Sequence, residues 1–162
     1  MVKQVPTPDE VVNALHRFGL ERDRLRSALT QLLGLPASDL DALEHLELDG
    51  PLSQRDLVDR LLLSSGSVTT LVDRLERSGL VIRTPHPTDR RVTLVRLAPH
   101  LSVSEPAEMD TYHHAVAQVA ADLAPAARGH VVAFLTAVVE HADTGTAALR
   151  ARRRSSGEPR RS

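Results

Sequence analysis

The segment from Leu52 to Leu97 constrains the fold most, because its helical periodicity appears twice and then gives way to β-rich runs. Ser53 suits the N-cap of a first helix, and Ser64 or Ser65 that of a second. Spacings of three and four between apolar residues bury one face of the second helix, which ends before Gly79. Those apolar residues are Val68, Leu71, Val72 and Leu75. The runs Leu80–Ile82 and Val92–Leu97 then enclose a basic stretch, which predicts a β-hairpin with a basic tip.

The opposite face of the second helix carries short polar side chains, followed one turn later by a cation. Such side chains suit close approach to the edges of bases, and the cation can reach a phosphate. We expect a hairpin of this kind to act as the wing of a winged helix, with a histidine and an Asp-Arg-Arg run near its tip. The candidate DNA contacts are therefore Ser65, Ser67, Thr69, Thr70, Arg74, His86, Asp89, Arg90 and Arg91.

The segment resembles the DNA-binding core of MarR-type (multiple antibiotic resistance regulator) transcription factors. The motifs cover about a third of the chain, and an Asp-x-Arg wing after a Leu-Val-Asp-Arg-Leu-Glu helix is a specific signal. The chain departs from the family at Leu62, where the turn before the second helix often has glycine. The resemblance is carried by Leu63-Ser64, Val68-Thr69, Leu71 to Glu76, Gly79 to Val81, Asp89 to Arg91 and Val95 to Leu97.

This resemblance implies a homodimer with two copies of helix 64–78 in successive major grooves of double-stranded DNA. On an inverted-repeat operator the two helices would lie about 34 Å apart. Arg91 would enter the minor groove, and Asp89 would orient its guanidinium through a charge-assisted hydrogen bond. The resemblance also implies a repressor that is released by a small-molecule effector, whose identity and pocket the sequence does not indicate.

The expected fold class is mainly α with a small β wing, in which long N- and C-terminal dimerisation helices flank a winged helix-turn-helix domain. The first helix begins with a capping box of Thr7 and Glu10 and carries a heptad-like apolar seam, broken only by Arg22. The expected parts are an N-terminal dimerisation helix (1–37), the winged helix-turn-helix domain (38–100), C-terminal dimerisation helices (101–149) and a disordered basic tail (150–162).

The net charge of −1 is unevenly distributed along the sequence. Residues 50–100 carry a net charge of +3 and residues 150–162 one of +5, whereas residues 1–49 carry −4 and residues 101–149 carry −5. Positive charge on the winged segment and the tail is the electrostatic footprint that phosphate binding requires. The tail is equally compatible with a non-specific DNA contact and with a solubilising end.

Other functions find less support in the sequence. No nucleophile elbow or glycine-rich phosphate loop is present, so we expect neither an enzyme nor a cofactor. The sequence has no cysteines, no membrane span and no apolar leader, which predicts a cytoplasmic protein. The alternatives are a dimeric ligand- or protein-binding module and a zinc-responsive regulator. The second would use Glu44, His45, Glu108, His113 and His114, but these lack the i, i+4 histidine pair of a good site, so no metal is expected.

Overall fold

The structure, a computed structural model, describes residues 5–100 and 107–155. Each of these two ranges lies in a compact unit of its own. The elements of the first unit are α1 (Pro8–Leu33), α2 (Ala37–Asp49), β1 (Leu52–Ser53), α3 (Gln54–Leu61), α4 (Ser65–Arg77), β2 (Val81–Pro85) and β3 (Thr93–Leu97). Those of the second unit are α5 (Ala107–Ala121) and α6 (Pro125–Ser155). A mainly helical fold with a small antiparallel sheet is thereby confirmed.

The predicted capping box at the start of α1 is confirmed. The backbone N–H of Thr7 donates to the Glu10 carboxylate at 2.8 Å, and the Thr7 hydroxyl oxygen accepts from the backbone N–H of Glu10 at 3.3 Å. Pro8 occupies the first helical position, where a missing N–H costs nothing. Gly34, at φ 64°, ends the helix in the left-handed conformation that glycine adopts without strain.

Half of the apolar side chains in the α1 seam are exposed within this chain. Leu29 is buried, whereas Val11, Phe18 and Leu32 are exposed. Arg22, which breaks the seam, donates to the Glu44 carboxylate of α2 at 3.1 Å. The interruption therefore serves an ion pair between the first two helices.

The helices α2 and α3 lead into the turn before α4. The helix α2 begins at Ala37 and extends to Asp49. Ser53 caps α3, as predicted. Leu62 then adopts φ 58° and ψ 27°, a left-handed conformation that a side chain with a Cβ reaches only with strain.

The predicted hairpin is confirmed, and a third strand joins it. The strands β2 and β3 pair antiparallel in the register Val81↔Leu97 and Arg83↔Val95. The sequence prediction missed β1, whose Leu52 pairs with Val95 on the other edge of β3. The order β1-β3-β2 fixes the hairpin to the start of α3.

A core of aliphatic side chains joins α2, α3, α4 and the sheet. The predicted buried face of α4 is confirmed, since all four of its apolar residues lie in this core. The fully buried members with the largest side chains are Leu57, Leu71, Leu75, Val68, Val72, Val81 and Val95. Because one face of α4 is held in this way, its other face is turned away from the core.

In the second unit, α5 ends at Ala121 and α6 begins at Pro125. The last helix extends to Ser155, six residues beyond the predicted end at residue 149. Residues 150–155 of the expected disordered tail are therefore helical, and the rest of that tail lies outside the described residues. None of the helices in the described ranges has the length and apolarity that crossing a membrane requires.

Candidate nucleic-acid interface

The helix α4 presents a small polar surface at its N-terminal half. Ser64 caps the helix, and its hydroxyl oxygen accepts from the backbone N–H of Ser67 at 3.1 Å. The predicted contacts Ser65, Ser67, Thr69 and Thr70 are all exposed. A helix with this outer face can approach another surface closely.

The threonine hydroxyls of this surface already donate to the helix backbone. Thr69 donates to the carbonyl oxygen of Ser65 at 2.9 Å, and Thr70 to that of Gly66 at 3.1 Å. The hydroxyl oxygens keep acceptor capacity, which matches the amino groups that adenine and cytosine display in the major groove.

The structure pairs Arg74, which we assigned to a phosphate, with Asp39 of α2. Its Nε donates to one carboxylate oxygen of Asp39 at 2.7 Å and its Nη2 to the other at 2.5 Å. The Asp39 side chain is fully buried. Hydrogen bonding to Asp39 raises the pKa of Arg74 above its ordinary value, against partial burial. This guanidinium therefore holds α4 to α2.

Sequence reasoning missed Arg77, an exposed cation in the last turn of α4. It lies seven residues after Thr70, two helical turns further along the same face. The spacing alone could have identified it, because Arg74 is offset from Thr70 by four residues and lies nearer the buried face.

A second arginine fixes the hairpin to α4. Arg83 of β2 donates to Asp73 at 2.6 Å and also to Glu76. Burial alone would lower the pKa of Arg83, but its hydrogen bonds to the two carboxylates outweigh that effect and raise it. Arg83 thus neutralises two acidic groups on α4 and links the wing to the helix.

The tip of the hairpin is a closed turn between His86 and Val92. The backbone N–H of His86 donates to the carbonyl oxygen of Val92 at 2.9 Å, and that of Val92 to the carbonyl oxygen of Asp89 at 3.0 Å. Arg90 and Arg91 are exposed within this turn. The tip therefore presents two cations on a hydrogen-bonded loop.

Asp89 and His86, two of the predicted DNA contacts, both contact the backbone of this turn. The Asp89 carboxylate accepts from the backbone N–H of Arg91 at 3.0 Å, so it helps to shape the loop. The His86 Nδ1 lies within hydrogen-bond distance of the backbone nitrogens of Thr88 and Asp89.

The residues considered for zinc form other contacts where the structure describes them. Glu44 binds Arg22 and Arg26, and His45 lies 3.6 Å from Asp49. Among the described residues, no group of three potential metal ligands comes together. The side chain of Glu108 lies outside the described set.

Comparison with known proteins agrees with this geometry. A sequence profile described as MarR family matches residues 33–92, which span α2 to the wing tip. Over 84 residues the chain is 38% identical to the HTH-type transcriptional regulator YcgE of Bacillus subtilis, covering 52% of this chain and 54% of that protein. Residues 33–92 therefore match the MarR family, and the comparisons support a MarR-type winged-helix regulator. It spans about half the length of the curated relatives it matches.

Solved structures show the same fold. A transcriptional regulator of Thermotoga maritima, Tm0710, superposes with a TM-score of 0.58 at 19% identity, over 86% of this chain and 98% of that one. A mutant of S. aureus MepR bound to an oligodeoxyribonucleotide superposes with a TM-score of 0.50 at 19% identity, over 81% and 96%. In this winged-helix fold, α4 is the second helix of the helix-turn-helix and the β2–β3 hairpin is the wing.

Proposed function

We propose that this protein is a homodimeric, sequence-specific DNA-binding regulator of the MarR type. The observation that carries the proposal is the pairing of an exposed polar face on α4 with a wing that Arg83 fixes to the same helix. A rigid link between the two elements lets one domain contact a major groove and the adjacent minor groove together. The DNA-bound relative from S. aureus supports this assignment.

In the proposed complex, α4 enters the major groove by its N-terminal half. Ser65, Ser67, Thr69 and Thr70 contact base edges or phosphates there, and Arg77 replaces Arg74 as the phosphate contact at the other end of the helix. Arg90 and Arg91 reach the minor groove, where a narrow width strengthens the attraction for cations. Exposed apolar side chains on α1 and α6 support the homodimer, which would present two such domains to an inverted repeat.

The family suggests how the DNA complex is controlled. We propose repression in the cytoplasm, with release by a small amphipathic molecule.

The proposal is tested by binding of the purified protein to duplex DNA taken from upstream of its own coding region. We expect tighter binding to this duplex than to a scrambled one, and Arg91→Ala should weaken it by about 1–3 kcal/mol. Arg77→Ala should weaken binding to both duplexes by similar factors and reduce the salt dependence, as loss of a phosphate contact does. Arg24→Ala is the matched control, since Arg24 is an exposed arginine of α1 paired with Glu21.

Base readout is tested separately by Thr70→Ala, which should change sequence preference more than total affinity. Binding of Arg91→Ala equal to that of the wild type would refute the wing assignment. Failure of the wild type to bind any duplex would refute the proposed function and favour a protein- or ligand-binding module.

A further inference from the structure

The imidazole of His86 closes the wing turn from within. Its Nδ1 lies 3.3 Å from the backbone nitrogen of Thr88, 3.2 Å from the backbone nitrogen of Asp89 and 3.2 Å from the Thr88 hydroxyl oxygen. His86 is half-buried, whereas the residues that follow it in the turn are exposed. One side-chain atom thus organises the backbone that leads to Arg90 and Arg91.

The two backbone contacts determine which form of the imidazole the turn requires. A backbone N–H can only donate, so Nδ1 must accept with its single in-plane lone pair, which the donors share. The neutral imidazole with its proton on Nε2 satisfies this condition. A proton on Nδ1 could be donated to the Thr88 hydroxyl, but it would leave both backbone N–H groups facing another donor.

The charged groups around the turn are either paired with other side or main chains or exposed. The Asp89 carboxylate accepts from the backbone N–H of Arg91. On the strands below, Arg83 is paired with Asp73 and Glu76 of α4, and Arg96 of β3 is exposed. Besides these the loop holds the exposed Arg90 and Arg91, whose positive charge opposes a further cation in the same turn.

We propose that His86 is a positioning residue for the wing, and that the wing is ordered for DNA only while its Nδ1 is unprotonated. Histidine is the side chain that ordinarily changes charge between about pH 5 and 8. Protonation opens the turn and releases the arginines from their fixed geometry, so DNA binding weakens as the pH falls. This inference rests on the proposed function, because it states how that same site is regulated.

The direction in which operator affinity changes on acidification distinguishes this proposal from a general electrostatic effect. The chain has eight histidines, so acidification makes the whole protein more positive and by itself favours binding to a polyanion. The proposal predicts the opposite. Operator affinity should fall roughly three- to tenfold between pH 7.5 and 5.5, the size expected for loss of a hydrogen-bonded turn.

Two substitutions of His86 distinguish the role of its hydrogen-bond acceptor from the role of its charge. In His86→Asn, the side-chain oxygen lies about where Nδ1 lies and can accept from the backbone two residues on, but it cannot titrate in this range. In His86→Gln, the acceptor is one methylene further out and cannot close the same turn. His100→Asn, which changes an exposed histidine after β3, is the matched control.

The experiment measures operator affinity of these proteins at pH 7.5 and 5.5 at constant ionic strength. We expect the acid-induced loss in the wild type and in His100→Asn, and its absence in His86→Asn. At pH 7.5, His86→Gln should bind roughly three- to tenfold more weakly than His86→Asn. An unchanged pH dependence in His86→Asn, or equal affinities of the asparagine and glutamine variants, would overturn the proposal.

A measurement without DNA distinguishes failure of this inference from failure of the proposed function. Nitrogen NMR of the imidazole should show a bare Nδ1 and a protonated Nε2 at pH 7.5. The amide signals of Thr88 and Asp89 should titrate together with His86, and in His86→Asn they should not. A protonated Nδ1 at pH 7.5 would overturn the inference whether or not the protein binds DNA. The same holds if the amide signals of Thr88 and Asp89 do not change as His86 is titrated.

Discussion

The side chain of Asp39 is the fully buried acidic group among the described residues, and Arg74 compensates its charge. The two partners differ in exposure, since 39% of the Arg74 side chain is accessible to solvent. Loss of Arg74 leaves a carboxylate with no access to water, whereas loss of Asp39 leaves a guanidinium that can turn outward. Substitution of Arg74 and substitution of Asp39 should therefore lower the free energy of unfolding by unequal amounts.

We predict that Arg74→Met lowers the free energy of unfolding by about 3 kcal/mol and that Asp39→Asn lowers it by less. Replacement of both charges, as Asp39→Leu with Arg74→Met, should restore part of the loss because no buried charge remains. Urea denaturation at one fixed protein concentration measures all three. If Arg74→Met proved as stable as the wild type, the ion pair would not be what holds α4 to α2.

Leu62 is the non-glycine residue with positive φ in the described chain, and its side chain is half exposed. A left-handed conformation costs a residue with a Cβ roughly 1–2 kcal/mol, while glycine adopts it freely. Because this side chain contributes little to the core, removal of the strain should outweigh the loss of its packing and the added freedom of the unfolded chain.

We therefore predict that Leu62→Gly raises the free energy of unfolding by about 0.5–1 kcal/mol. The matched control is Leu61→Gly, one residue earlier, where a helical conformation makes glycine unfavourable and the protein should lose stability. Thermal denaturation of both variants and of the wild type measures these changes in stability. Equal destabilisation by the two glycines would contradict strain at Leu62.

At the level of elements, α3 depends on a capping box whose charge can be titrated. The Asp56 carboxylate accepts from the Ser53 hydroxyl at 2.6 Å and from the Ser53 backbone N–H at 2.9 Å. These hydrogen bonds, first from the side chain and then from the backbone, hold the pKa of Asp56 below its ordinary value. A lowered pKa in the folded state means that the ionised group stabilises the fold.

We expect Asp56→Asn to cost about 0.5 kcal/mol of unfolding free energy at pH 7, from the lost charge at the helix N-terminus. The contribution of the wild-type carboxylate is present above the pKa of an unfolded aspartate, about 4. It disappears as the pH falls through the lower folded value, so the two proteins should converge under strongly acidic conditions. A difference that stayed constant down to pH 2 would show that the charge is not responsible.

The comparison of sequence and structure separates local signals from distant ones. The Thr7–Glu10 capping box, the Ser53 N-cap, the α4 face and the hairpin depend on residues less than about 20 positions apart, and spacing revealed them. The strand β1 is only two residues long and pairs with β3, about 40 residues later, so no local pattern marks it. The partner of Arg74 lies 35 residues away for the same reason.

The sequence did not predict the end of α6, for another reason. Residues 150–155 lack apolar periodicity, and we took this as a sign of disorder. Arginine and alanine are nevertheless strong helix formers, and a helix that is already nucleated extends at little cost. The helix propensity of these residues therefore determines where α6 ends, which apolar periodicity did not indicate.

At the scale of the whole molecule, the second unit exposes an apolar surface that a single chain does not cover. Large side chains on α6 are accessible over nine residues, with Val132 at 64% and Val139 at 58% exposure. At 100° per residue these positions lie within an arc of about 160°. The members of this arc are Val131, Val132, Phe134, Leu135 and Val139. A patch of this kind is typical of a surface that binds another protein, here by our proposal a second copy.

We predict that Val132→Asp with Val139→Asp converts the dimer to a folded monomer at micromolar concentration. Both residues are highly exposed, so the substitution should leave the unit folded, while two buried carboxylates in a dimer interface would weaken association at least a hundredfold. The matched control is Ala133→Asp with Ala137→Asp, which adds the same charges to exposed positions on the opposite face of α6. Sedimentation equilibrium gives the oligomeric state of each protein, and circular dichroism its helix content.

The same pair of variants links assembly to DNA binding. A monomer presents one α4 and one wing, so its affinity for an inverted repeat should fall to that for a single half-site, while the control protein keeps the wild-type affinity. A wild type that sediments as a stable folded monomer would exclude the dimer. A monomeric variant with undiminished affinity for the inverted repeat would instead mean that each domain binds DNA without the other, and that the apolar face of α6 serves a different partner.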